Sequence, residues 1–259
     1  MASNSIAFSG KGGVGKTTCL VLFLKFLVES KKESKKLVID ADPDANVADQ
    51  LGINLEFRDT IAGKMQGVMR KIETNNIFPY DTNKQAIEAE LFNSIHHVNS
   101  FDLLEMGRQE GEGCYCSVNN VLKNTIDIIS ENYDFVLFDS PAGLEHFARK
   151  TGKNVKNLLI VVDPSKMAFH TLERILVISK ELSLNFNQYW VLGNRFSFNN
   201  QEFLIRKLQE LNEPELKLLG FIPEDIELTK YNLLSTNLLN LPNDNKAYVK
   251  AKELFKKLI

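Results

Sequence analysis

Residues 9–18 read Ser9-Gly10-Lys11-Gly12-Gly13-Val14-Gly15-Lys16-Thr17-Thr18, and this stretch restricts the fold more than any other. It fits G-x-x-x-x-G-K-[ST], a pattern whose glycines let the backbone curl so that its N–H groups face a phosphate. In that pattern the lysine, here Lys16, reaches the β/γ-phosphates, and the Thr17 hydroxyl binds Mg²⁺. The flanks suit the motif. Ser5-Ile6-Ala7-Phe8 is a short apolar run expected as a buried strand, and 16–30 read as a helix whose N-terminus faces the phosphates. A glycine-rich turn without a ligand would need neither flank.

The chain has 259 residues, of which 44% are hydrophobic, enough to bury a full core, and 1–259 are expected to form a single domain. A net charge of −2 implies no global pull towards nucleic acid or membrane. Three cysteines, an odd number, and no signal-peptide pattern point to a reducing, cytoplasmic setting with free thiols. The apolar run from Cys19 to Val28 is interrupted by Lys25 and falls well short of the ~20 residues a membrane span needs.

After a charged connector at 31–36, Leu37-Val38-Ile39 forms a second apolar strand running into Asp40-Ala41-Asp42-Pro43-Asp44-Ala45-Asn46. Carboxylates at the carboxyl end of a strand lie where open α/β sheets bind ligands. Asn46 is placed as a helix cap. Residues 56–100 are the least informative; 85–92 look helical, and His96-His97 are read as surface or helix-end histidines, with metal ligation as the other reading. A strand follows at 101–106, a polar glycine-rich loop with Cys114 and Cys116, and a helix over about 118–131. Phe135-Val136-Leu137-Phe138-Asp139 is an apolar strand ending in the carboxylate expected to hold Mg²⁺ through water. Further strands are expected at 158–162, 189–195 and 218–222, with helices between them, including 168–182. The tail, 246–259, puts Tyr248, Ala251, Leu254, Phe255 and Leu258 on one helical face, to pack on the sheet edge or, less simply, to lie on a membrane. The alternation predicts an α/β fold: a predominantly parallel sheet with helices on both faces, a P-loop NTPase.

Gly10 to Thr18, with the early lysine Lys11, resembles the deviant Walker-A ATPases, the superfamily of MinD and ParA positioning ATPases, the nitrogenase iron protein, the arsenite-pump ATPase and metal-insertion ATPases. The resemblance implies that ATP drives homodimerisation and that Lys11 reaches across to the partner's phosphates. A second ammonium there would neutralise charge developing in phosphoryl transfer. Within the superfamily the chain looks most like the CooC-type nickel-insertion ATPases. Residues 40–46 look like the first switch, Gly113-Cys114-Tyr115-Cys116 like the cysteine motif, and Asp139-Ser140-Pro141-Ala142-Gly143-Leu144-Glu145-His146 like the second switch.

The resemblance, with the chemistry above, distributes roles. Gly12, Gly13, Val14, Gly15, Lys16, Thr17 and Thr18 cradle the phosphates of ATP or ADP. Lys16 and Lys11 neutralise charge, Asp42 orients the attacking water, Thr17 and Asp139 hold Mg²⁺, and Asp40 supports its water shell. Asn194 reads adenine, and Pro223 with Asp225 belongs to a loop over the base, although Ile222-Pro223 is equally a plain strand-to-helix turn. Cys114 and Cys116 give two thiolates per chain; a two-fold axis would supply four, enough for tetrahedral Zn²⁺ or square-planar Ni²⁺. The iron protein's second thiol position is Ala142 here, which favours carriage of a single ion over an iron–sulfur cluster. The expected partner is a nickel enzyme of the carbon monoxide dehydrogenase or acetyl-CoA synthase type, with no nucleic acid. Other readings are a MinD/ParA-like positioning ATPase at membrane or DNA, and an iron–sulfur carrier or reductase component.

Overall fold

The apolar runs at 5–8, 37–39, 135–138 and 158–162 fold as strands buried on both faces. The computed structural model describes residues 4–42, 44–75, 85, 88–107, 124–141, 155–184 and 186–259. Its strands are β1 (Asn4–Ser9), β2 (Lys36–Asp40), β3 (His96–Val98), β4 (Phe101–Glu105), β5 (Phe135–Asp139), β6 (Asn157–Val162), β7 (Gln188–Asn194) and β8 (Leu216–Ile222). Among the described residues they form one sheet in the order β3-β4-β2-β5-β1-β6-β7-β8. Every pairing is parallel except that of β3 with β4. Strands β2 and β5 are buried along their whole length, as central strands of a parallel sheet must be.

The labelled helices are α1 (Lys16–Ser30), α2 (Asn46–Gln50), α3 (Ile61–Asn75), α4 (Lys166–Glu181), α5 (Gln201–Leu211), α6 (Ile226–Leu233) and α7 (Lys246–Phe255), with further helical residues at 88–92 and 124–130. From β1 the chain moves to β2 on one side, whereas β6 to β7 moves to the other. Right-handed crossovers therefore put α1 and α4 on opposite faces of the sheet. The reversal occurs at β1, so its carboxyl end opens into the crevice where such sheets take ligands.

Helix α1 is buried nearly all round, and its one internal cation is satisfied rather than exposed. Lys25 Nζ donates to the Leu239 carbonyl at 2.8 Å, pairs with Glu29 at 2.9 Å and lies 4.9 Å from the centre of the Tyr248 ring. Lys252 on α7 meets the other oxygen of Glu29 at 2.8 Å. Phe23 and Phe255 add an edge-on ring contact at 5.0 Å. The apolar face read in the tail (Tyr248, Ala251, Leu254, Phe255, Leu258) is buried, with α7 packed on α1 and β8. Among the described residues, no helix is long and apolar enough to cross a membrane.

One local expectation needs correcting, and two others gain detail. His96 and His97 belong to an antiparallel edge strand, where His97 stands opposite Asp102 and its Nδ1 lies 2.8 Å from that carboxylate. Helix α3 lies inside the stretch that looked uninformative. Asn46 is the first residue of α2 and not its cap; the capping residue is Ala45, in a left-handed conformation, and the cap's hydrogen bonding comes from Asp40.

Candidate functional site

Strand β1 ends at Ser9, α1 begins at Lys16, and the glycines between them are where backbone freedom is used. Gly10 has φ +146°, and a Cβ on it would lie 2.3 Å from the Val161 carbonyl oxygen of β6. Gly15, at φ +91°, is pressed against Asn194, whose Nδ2 would lie 2.5 Å from an added Cβ. Gly12 and Gly13 are exposed, and nothing comes within 4 Å of a Cβ on either. The loop is thus tight against the sheet and open at its mouth. Gly15 offers no side-chain cap to α1, which leaves the helix's first N–H groups to an outside acceptor.

A paired prediction follows from this contrast. Gly10→Ala should destabilise the nucleotide-free protein by about 3 kcal/mol, since both the conformation and the collision oppose it. Gly12→Ala should change stability by no more than about 0.5 kcal/mol while weakening nucleotide binding. Urea midpoints and nucleotide titrations of the two variants check this.

Lys16 and Thr17 sit at the start of α1. The Lys16 side chain is buried, and its charge favours the ionised form of Asp139. Thr17 Oγ1 donates to Asp139 Oδ2 at 2.5 Å. Asp139 in turn pairs in register with Asp40 across β5 and β2, and Asp40 with Glu105 across β2 and β4. Three carboxylates therefore stand side by side at the carboxyl edge, all buried. Burial pushes Asp139 up to about 7, opposed by the Thr17 hydrogen bond and Lys16 and assisted by the Asp42 charge. Burial, followed by the neighbouring Asp139, holds Asp40 well above the usual carboxylate range. Burial alone raises Glu105 to about 7.

The carboxylates do different work. Asp40 accepts from the N–H groups of Asp42 and Val47, each at 3.0 Å, and so shapes the loop into α2. That loop leaves Asp42 half-buried and close enough to Asp139 to raise its pKa. Asp139 Oδ1, Glu105 Oε2, Ser9 Oγ and Ser140 Oγ are buried without a hydrogen-bond partner among the described residues. Orphaned polar atoms are rare in native interiors, and these four all sit at or next to the carboxyl ends of β1, β4 and β5. The hard oxygen donors Thr17 and Asp139, with the Asp40 and Glu105 carboxylates on the neighbouring strands, fit Mg²⁺.

Asn194, at the end of β7, donates from Nδ2 to the Val14 carbonyl at 2.7 Å, so its nearest duty is to the loop. Asp225 caps α6 by accepting from Leu228 N at 2.8 Å, and it also accepts from Asn245 at 2.9 Å. These bonds hold its carboxyl below the usual range against the opposing effect of burial. Pro223 opens the same turn. Lys11 is partly exposed at the loop's start. Sequence reasoning gave no role to Glu105, Ser9 or Ser140, nor to Arg195, whose Nη1 donates to the Gly13 carbonyl at 3.1 Å. Their only sequence signal is a polar residue at the carboxyl end of an apolar strand or just beyond it. Cys114, Cys116, Ala142 and His146 lie outside the described residues; among the described ones no group of three or more His, Cys, Asp or Glu side chains could hold a metal ion.

A family model described as an AAA domain, AAA_31, matches residues 3–190. An uncharacterised ATP-binding protein of Methanocaldococcus jannaschii is 38% identical over 254 residues, 98% of this chain and 98% of its own. The carbon monoxide dehydrogenase accessory protein CooC of Rhodospirillum rubrum is 31% identical over 189 residues, 69% of this chain and 70% of its own. The crystal structure of a ParA family ATPase from Chlorobium tepidum covers 98% of this chain and 99% of that one with a TM-score of 0.71 at 17% identity, a likeness of fold.

Proposed function

The chain belongs to the AAA_31 family of P-loop ATPases, and from that premise we propose that it couples ATP binding and slow hydrolysis to the loading and release of a metal on Cys114 and Cys116. Nucleotide would close a homodimer, bring four thiolates together, and let hydrolysis loosen them. Lys16 neutralises the β/γ-phosphates, Asp42 orients the attacking water, and Asp40 acts through the loop it shapes. Mg²⁺ held by Thr17 and Asp139 would stabilise charge on the phosphate oxygens. Asn194, through its remaining oxygen, and the turn at Pro223 and Asp225 meet the base. The metal is cargo, Ni²⁺ or Zn²⁺, and the client is a nickel enzyme of the carbon monoxide dehydrogenase type.

The observation that carries the metal half of this reading is the identity shared with the CooC accessory protein, joined to the Cys-x-Cys of this sequence. Equilibrium metal binding tests it. The wild-type chain should bind about half an ion per chain, and the Cys114→Ala/Cys116→Ala variant should bind about a hundredfold or more weakly. Unchanged binding in the double variant, or none of high affinity in the wild type, would sink the proposal. An iron–sulfur role would show instead as visible absorption in protein purified without oxygen.

A second reading, a ParA-like positioning ATPase, is supported by likeness of fold. Its membrane version has to do without the apolar face of α7, which is buried against α1 and β8. Co-sedimentation of the intact chain with anionic liposomes or DNA, with and without ATP, separates the two.

A further inference from the structure

Two carbonyls of the phosphate loop are held by consecutive residues at the end of β7. Asn194 Nδ2 takes the Val14 carbonyl at 2.7 Å, and Arg195 Nη1 takes the Gly13 carbonyl at 3.1 Å. The C=O and N–H of one trans peptide point in opposite directions. A carbonyl drawn towards β7 therefore turns the next residue's N–H away from it. Those N–H groups belong to Val14 and Gly15, in the backbone that the motif uses to hold phosphate. Among the described residues Val14 N–H meets the Lys11 carbonyl at 3.4 Å, too far for a strong competing bond.

Arg195 reaches the loop at a conformational cost. Its φ is +59°, a left-handed backbone that a residue with a side chain adopts reluctantly. On one side Asn194 is buried in β7; on the other Phe196 is buried with its ring 5.2 Å from that of Phe221. The turn between them throws the guanidinium back over residues 13–15. Glycine would adopt this turn more easily, and arginine stands there.

We propose that Arg195 is a positioning residue of the ATPase site, whose guanidinium keeps the Gly13 peptide in its phosphate-accepting orientation. The proposal rests on the ATPase activity of the family and is independent of the cysteine pair.

Arg195→Gly relieves the backbone and removes the guanidinium, so stability and function should separate. Its thermal midpoint should equal or exceed that of the wild type. Its dissociation constant for a fluorescent ADP analogue and its KM for ATP should both rise about tenfold, the usual effect of losing one charge-assisted hydrogen bond. The kcat should stay within about twofold, because the lost contact serves ground and transition states alike. Arg195→Met should lose the same affinity without changing the backbone, and Arg195→Lys, which keeps a charged donor, should recover most of it. Unaltered affinity in Arg195→Gly and Arg195→Met would overturn the proposal. So would a lysine variant no better than methionine, or an affinity loss that appears only in variants with a lowered thermal midpoint.

Discussion

Asp139→Asn is expected to make the nucleotide-free protein more stable at pH 8 while cutting Mg²⁺-dependent ATP hydrolysis by about a hundredfold or more. The two effects share one cause. Asp139 is fully buried, one of its oxygens has no partner among the described residues, and Asp40 stands beside it with Glu105 one strand beyond. Its pKa, about 7 when folded against 3.8 as the reference value, means that the folded state keeps a proton the unfolded state has lost. Stability in the absence of ligand must then fall as pH rises from about 4 to about 7. Above that window the buried charge is only partly offset by Lys16 and Thr17, and asparagine removes it while leaving an oxygen to accept from Thr17. The gain should reach a few kcal/mol at most, since each pKa unit is worth about 1.4 kcal/mol. Thermal midpoints of both proteins at pH 5 and pH 8, with and without Mg²⁺-nucleotide, measure it. A variant less stable than wild type at pH 8, or one hydrolysing ATP normally, would show that Asp139 serves the fold and not the cation.

The central sheet was legible because burial on both faces writes itself as unbroken apolar runs, as in residues 135–138 and 158–162. The loop of 10–18 was legible because phosphate binding demands particular residues at particular spacings. What stayed hidden were features that depend on register. His97 and Asp102 meet because an antiparallel edge strand sets them opposite each other, and three residues carry no signal of that pairing. Glu105 reads as an ordinary acid after two leucines until β4 aligns it with Asp40. Asp40 was read as support for a magnesium water shell, and its bonds to Asp42 and Val47, which exist only once the loop closes around it, carry no signal in the sequence. Asn194 and Arg195 lie about 180 residues from the loop they hold, a separation no local pattern can announce.

Lys11→Ala should leave nucleotide affinity of the single chain within about threefold and lower turnover by about a thousandfold, the scale of a cationic finger lost from phosphoryl transfer. The division of labour follows from burial. Lys16 is enclosed at the start of α1 beside Asp139, the placement expected of a lysine that serves its own chain's phosphates. Lys11 is partly exposed five residues earlier, before the glycines whose surroundings are open. A lysine so placed has the freedom to reach a second chain. Mixing variants tests which chain it serves. If Lys11 acts across a dimer, a Lys11→Ala chain paired with an Asp139→Asn chain contains one complete site: the Asp139 of the first completed by the Lys11 of the second. An equimolar mixture, half of it heterodimers with one working site of two, should then recover about a quarter of wild-type turnover. If Lys11 acts within its own chain, every site in the mixture lacks one group and nothing is recovered. Turnover should also rise with protein concentration in the mixture, because the complete site exists only while two chains are joined.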